Sequence, residues 1–336
     1  MKRRQWLCTV LGAAGTCLAS ATTKQTQNTL VWRQRVMMGF GTTVWLQAAH
    51  HDTQELEKAL SSCVALLHDI ERELSLYLPS SALCRLNAAG SFQGTAPHLF
   101  RMLKIANNIS SQCNGMFDVT MQPLWQVWRA AHEDGNEPSA KLIDTTCQLV
   151  NWRGIAMSQD TIKFKRKGMS VSLNGIAQGY AADQVRIQLA SYGIQTARID
   201  TGETTSLQPI GSVNSESFFI EDRFNMASGT GPVVVPNGRA MATSSDAHTT
   251  FFSHHEHHIL QPQTGHSPHY WASVTVIANS CTLADALTKV FFMLPSQQIQ
   301  AAADRWGVAV VLQNKTGHWQ QVNPTSHMNL KLVEQI

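Results

Sequence analysis

The sequence predicts an α+β fold. Long stretches with apolar residues at helical spacing stand beside short runs rich in β-branched residues. The two kinds do not alternate strictly, which argues against a doubly wound parallel sheet. The 336 residues are 43% hydrophobic and only 15% charged, enough apolar material for a core and incompatible with disorder, coiled coil or collagen.

The N-terminus reads as an address. Lys2, Arg3 and Arg4 precede a short apolar run, Trp6 to Leu18, and then Ala19-Ser20-Ala21. A basic start, a run too short to span a bilayer and small residues at a cleavage position predict an export signal over 1–21 and a periplasmic protein. Arg3-Arg4 fits a twin-arginine signal and also an ordinary Sec signal. Loss of this segment removes three basic residues and leaves 23 basic against 23 acidic. A neutral mature chain gives no electrostatic case for nucleic acid or an anionic membrane, and no stable membrane span is expected.

Residues 22–35 read as a leader and 36–336 as one catalytic-sized unit. Val31 to Ala48 reads as extended. Asp52 with Glu55 resembles a capping box, and Leu56, Leu60, Val64, Leu67, Ile70 and Leu74 mark one face of the helix that follows. A second helix is expected from Pro97 to Cys113, with Gly115 just past its end. Ile162–Arg166 and Met169–Leu173 suggest a hairpin turning at Lys167-Gly168. Ile176–Tyr192 is expected as a helix stopped by Gly193. Ile194–Ile199, Ser273–Ala278 and Val308–Leu312 read as strands, and Cys281–Met293 and Ser296–Trp306 as helices. Five cysteines remain after the leader and none forms a CxxC pair. Cys63 and Cys113 fall on apolar helical faces and read as small buried hydrophobes.

No P-loop, GxSxG, HExxH or GxGxxG motif is present. Gly115-Met116-Phe117-Asp118-Val119-Thr120 with Pro123-Leu124 sets an aromatic, a carboxylate and a hydroxyl on one loop, or is a helix cap and turn. Leu173-Asn174-Gly175-Ile176-Ala177-Gln178-Gly179-Tyr180 joins a strand to a helix, either as a tight turn or as a backbone cradle for phosphate. Asp285, near the start of an apolar helix, suits the helix dipole or a hard cation. Seven of the fourteen histidines lie between His248 and His269, a density that fits a metal site or a solvated loop.

These phrases, in this order, resemble the FAD:protein FMN transferases, the ApbE-like flavin transferases. The resemblance runs from about residue 36 to 315 and includes Gly41-Thr42-Thr43, Ser75 to Ser81, Leu86-Asn87, Gly115 to Leu124 with Trp128, and Gly175-Ile176-Ala177. It continues through Gly179 to Asp183, Gly202-Glu203, Ala242-Thr243-Ser244, His258 to Gly265, Ser273 to Val276 and Ala284 to Leu287. It implies mixed and antiparallel sheets with flanking helices around a nucleotide cleft. It implies that FAD is split, that FMN is attached to a Thr or Ser hydroxyl of an acceptor flavoprotein, and that AMP leaves with the help of Mg²⁺.

By the same resemblance, Phe40, Tyr77, Met116, Phe117, Asp118, Gln178, Thr243 and His258 would contact the flavin nucleotide. Ala177 and Thr288 through carbonyl oxygens and Asp285 through its carboxylate would hold magnesium, and His258 and Asp285 would carry the chemistry. The sequence departs from the family pattern at several of these places. The family has Met at Phe40, Asp at Ser172, Gly at Asn174 and Thr201, Lys at Gln178, and an acid at Gln261. Where it has a threonine metal ligand, this chain has Lys289, which cannot ligate a metal while charged. Lys289 would instead pair with Asp285 at i,i+4 and take the metal's place, or Thr288 would shift into the ligand role. A relative that binds flavin or a partner without transfer is the alternative reading.

Overall fold

The computed structural model describes residues 29–208, 217–225, 231–247, 249–252, 255–325 and 332–333. The expected export signal, His248 and His254 lie outside the described residues.

Strands β1 (Val31–Gly39) and β2 (Thr42–His50) form a hairpin. The sequence reading ran them together as one extended stretch. The break is a two-residue turn in which Phe40 (φ 54°) and Gly41 (φ 76°) are both left-handed, the backbone that matches strand twist. A phenylalanine gives no sequence signal for such a turn. Helix α1 (Thr53–Leu74) follows, with the Asp52 carboxylate accepting from the N–H groups of Gln54 and Glu55 as expected. Next come α2 (Ala82–Ala89), β3 (Ser91–Gln93), α3 (Pro97–Gln112), α4 (Gln122–Glu133) and α5 (Ala140–Cys147). β4 (Ile155–Met157), β5 (Thr161–Phe164), α6 (Ala177–Ser191), β6 (Thr196–Asp200) and β7 (Thr204–Leu207) continue the chain. The last part holds β8 (Phe218–Phe219), β9 (Val233–Val234), β10 (Ala240–Ser245), β11 (Trp271–Ala278), α7 (Cys281–Phe292), α8 (Ser296–Trp306), β12 (Ala309–Asn314), β13 (Trp319–Val322) and β14 (Leu332–Val333).

Among the described residues the main sheet is antiparallel, in the order β1-β2-β6-β7-β10-β11-β12-β13. Two small sheets, β14-β9-β8 and β3-β5-β4, lie apart from it. The fold is therefore α+β, as the sequence predicts. Leu46, Leu56, Leu60, Leu67, Leu103, Val185, Val276 and Phe291 join α1, α3, α6 and α7 to the sheet in one continuous core. Burying each large side chain contributes roughly 1.5–3 kcal/mol. A separate cluster of Leu124, Trp128, Ile143, Phe251 and Leu260 fastens α4 and α5 to the segment that carries His258.

The expected hairpin over 162–173 does not form. β5 instead pairs with both β3 and β4. Met169, Val171 and Leu173 are buried in the core without a neighbouring strand. The Asn87 side chain takes the strand's place. It donates to the Val171 carbonyl at 2.8 Å and accepts from the Val171 N–H at 2.7 Å, so both backbone groups are satisfied. No local pattern announces a partner 84 residues away.

Candidate active site

A cleft of about 1200 Å³ opens between the 116–118 loop, the start of α6, Glu203 just before β7, the end of β10, and the segment around His258. Tyr77, Met116, Phe117, Asp118, Gln178, Thr243 and His258 all line it. Seven of the sequence-predicted residues thus meet in one place. Phe40, Ala177, Asp285 and Thr288 stand behind the lining. The Phe40 carbonyl accepts from the Gln178 amide at 3.3 Å and so steadies a residue that does face the cleft.

The aromatic side of the cleft is built by turns. Asn114 and Gly115 both have positive φ just past α3, and this aims Met116 and Phe117 inward. Asp118 is buried. Its carboxylate accepts from the Thr120 N–H (2.8 Å), the Thr120 hydroxyl (2.6 Å) and the Trp152 N–H (2.9 Å). Burial pushes its carboxyl pKa up against the pull of those donors. Asp118 therefore fixes the loop while presenting an edge to the cleft. Tyr77 stands at the mouth, 68% exposed, and its hydroxyl accepts from the Asn174 amide at 3.1 Å. Asn174 thereby ties that ring to the α6 loop.

Helices α6 and α7 anchor each other by reciprocal capping. Asp183 on α6 accepts from the Ser280 hydroxyl, the Cys281 and Thr282 N–H groups and the Thr282 hydroxyl, between 2.6 and 2.9 Å, and so caps the start of α7. Asp285 on α7 returns the favour, accepting from the Gly179 N–H at 3.1 Å in the first turn of α6. Its other oxygen lies 2.5 Å from the Lys289 ammonium, which also donates to the Asp285 carbonyl at 3.1 Å. Lys289 lines the cleft. The Thr288 hydroxyl donates to the Asp285 carbonyl and shares a hydrogen bond with Ser244.

Glu203 is the residue whose importance the sequence did not reveal. It appears there only as part of Gly202-Glu203, yet it is buried at the cleft wall and accepts from the Thr243 N–H at 3.0 Å. Burial first, and then the nearby Asp285 charge, raise its pKa well above the ordinary range, against Lys289 and the Thr243 N–H. No spacing rule links Glu203 to the Asp285–Lys289 pair. Only the meeting of β7 with α7 does.

Those bonds bear on magnesium. Mg²⁺ requires a near-octahedral shell at roughly 2.0–2.1 Å and dehydrates reluctantly. One Asp285 oxygen is occupied by an ammonium and the other by a backbone N–H, and a charged Lys289 repels a second cation. The Thr288 carbonyl lies on a buried helix rather than at the cleft lining. The residues as placed do not fit a divalent ion.

The histidine segment divides by environment. His258 is at the cleft, with its N–H donating to the Thr249 carbonyl at 3.0 Å and its Nδ1 at 3.4 Å from the same oxygen. A proton on Nδ1 directed there leaves Nε2 in the basic form. His257 is fully buried. Its Nδ1 accepts from the Ile259 N–H, which sets Nε2–H toward the Pro268 carbonyl at 3.3 Å. Burial holds its pKa down at about 3. His266 pairs with Glu256. Among the described residues no group of three or more His, Cys, Asp or Glu side chains is placed to hold a metal ion.

An antiparallel α+β frame thus carries one cleft lined by both His258 and Lys289, with Asp285 paired to the lysine behind it. Residues 40–312 match the model of the ApbE family, and the chain belongs to that family. It is 28% identical over 264 residues to a Treponema pallidum protein named FAD:protein FMN transferase, covering 71% of this chain and 72% of that protein. A Haemophilus influenzae protein of the same name is 26% identical over 288 residues, covering 77% and 79%. The fold is that of the crystal structure of an ApbE protein from Thermotoga maritima, with a TM-score of 0.77, 20% identity and coverage of 87% of this chain and 97% of that one. It is also that of the apo form of the Pseudomonas stutzeri flavinyl transferase ApbE, with a TM-score of 0.72, 24% identity and coverage of 88% and 95%.

Proposed function

We propose that this protein transfers FMN from FAD to a threonine or serine hydroxyl of an acceptor flavoprotein and releases AMP. One observation carries the reading: a single cleft brings the His258 imidazole, the Lys289 ammonium and an apolar edge of Tyr77, Met116 and Phe117 to bear on one ligand-sized space. FAD is long enough to engage all three. The aromatic side would take a ring system of the dinucleotide and the lysine side its pyrophosphate.

In the proposed step the acceptor oxygen forms a bond to the phosphorus of the FMN half, and the P–O bond to the AMP half breaks. His258 Nε2 takes the hydroxyl proton, and the leaving AMP phosphate takes the electron pair. Lys289 offsets the charge that grows on the departing oxygen. Gln178, Thr243 and Ser244 supply polar partners along the cleft wall.

The reading extends to place and partners. Residues 1–21 would direct export to the periplasm, by the Sec or the twin-arginine route, and 36–336 would act there as one unit. The acceptor would be a protein with an accessible Thr or Ser. No nucleic acid or membrane partner is implied, and no helix among the described residues is long and apolar enough to cross a membrane. One observation favours the second reading, binding without transfer: Lys289 sits on the carboxylate that the family resemblance gives to a metal. Incubating the protein with FAD and a Thr-containing acceptor separates them. Covalent fluorescent flavin on the acceptor with equimolar AMP supports transfer, and tight FAD binding without either product supports the second reading.

A further inference from the structure

We infer that the Lys289 ammonium is itself the cation of the pyrophosphate site, so that a flavin dinucleotide binds in this cleft without a divalent metal ion. The inference rests on the flavin-transferase reading and names what holds the substrate's phosphates. An ammonium has three N–H donors. Two are spent, on the Asp285 carboxylate at 2.5 Å and the Asp285 carbonyl at 3.1 Å. The third serves the cleft that Lys289 lines together with Gly175, Gln178, Ser244 and His258.

The ammonium is held in place before any ligand arrives. Its stem passes Gly175 so closely that a Cβ there would lie 3.1 Å from Lys289 Cε, and the lysine side chain is only 19% exposed. A free surface lysine must be ordered on binding at an entropic cost that this one has already met in folding. Asp285 shares its charge with the Gly179 N–H in the first turn of α6, where the helix dipole favours an anion. A divalent ion would have to displace Lys289 from Asp285 and then tolerate it as a like-charged neighbour. An ammonium of fixed position, beside a helix start and a buried hydroxyl network, suits a nonbridging pyrophosphate oxygen.

The test is FAD affinity of the purified full chain, read by quenching of flavin fluorescence in EDTA and in MgCl₂ at equal ionic strength. The expected dissociation constants agree within about twofold, because no metal contributes. Lys289→Thr is expected to lose at least about tenfold of its affinity in EDTA and to regain it in magnesium, since Asp285 is then released. Lys289→Arg keeps metal-free binding. Riboflavin has no phosphate, so its affinity is expected to be equal in wild type and Lys289→Thr, an outcome that a misfolded variant would not give. Wild-type affinity that falls tenfold or more in EDTA overturns the inference and leaves the transferase reading standing. So does Lys289→Thr binding FAD in EDTA as tightly as wild type. Failure of the wild type to bind FAD in either buffer overturns the transferase reading and the inference together.

Discussion

Replacing Gly179 by alanine tests whether the α6–α7 junction is as close as the site requires. A methyl built on Gly179 would lie 2.7 Å from the Cys281 carbonyl carbon and 2.8 Å from Asp285 Cβ, and nearer still to the Cys281 oxygen. To reach ordinary van der Waals separation α7 must withdraw by roughly 1 Å. That stretches the 3.1 Å Gly179–Asp285 hydrogen bond beyond useful range. Overpacking costs about 1–3 kcal/mol and loss of a hydrogen bond to a charged group about 1.5–3 kcal/mol. Against this, alanine gains about 1 kcal/mol of helix propensity over glycine. The net expectation is a loss of about 1.5–5 kcal/mol, seen as a lower urea midpoint at unchanged slope. FAD affinity falls with it, because Lys289 moves with Asp285. At an open helix position the same substitution stabilises, so the sign itself decides. A Gly179→Ala protein as stable as the wild type, or more so, refutes the close junction.

Two further outcomes follow from buried charges. Asp183→Asn must turn an amide N–H₂ toward one of four donors, Ser280, Cys281 or the two of Thr282, and is expected to cost about 2–4 kcal/mol in urea unfolding; a loss under 1 kcal/mol would show that Asp183 does not cap α7. His257 is held at about 3 in the fold against an ordinary 6.5, so the unfolded chain takes up its proton first, and stability falls as pH drops through that window. By pH 5 the loss is about 2 kcal/mol, and His257→Gln is expected to lack it. Glu203 and Asp118 have raised values and act in the opposite sense, favouring the fold at low pH and losing that contribution as pH rises. The comparison is therefore wild type against His257→Gln at each pH, and identical pH profiles would sink the argument.

The elements that the sequence announced are those whose signal is local. α1 carries its own cap and apolar face, and α6 and α7 fall within a residue or so of their expected spans. Short α2 and α5 lack a long periodic face, and α4 follows directly on a turn. None of the three was expected. The segment assigned as a strand at 169–173 has no neighbouring strand, and at Val171 the Asn87 side chain takes both backbone hydrogen bonds, a partner that local propensity could not announce.

The site was legible in outline because its motifs were familiar in order, and seven of the expected residues do meet. Its chemistry was less so. That Asp285 spends a carboxylate oxygen on Gly179, that Asp118 holds the Trp152 backbone, and that Glu203 is buried near Asp285 all depend on contacts 34 to 106 residues apart. The Asp285–Lys289 pair, by contrast, follows from sequence spacing, as an i,i+4 contact on one helix.

The most direct test of the account is a single-turnover mixture of the protein, FAD and a threonine-bearing acceptor. AMP release and covalent flavin on the acceptor are followed together, in wild type and in His258→Ala. The wild type is predicted to give AMP and flavinylated acceptor in equal amounts. His258→Ala is predicted to lose transfer by about 10²–10⁴-fold, far more than it loses FAD affinity. FAD bound tightly by the wild type with neither product formed, or transfer unchanged in His258→Ala, would contradict it.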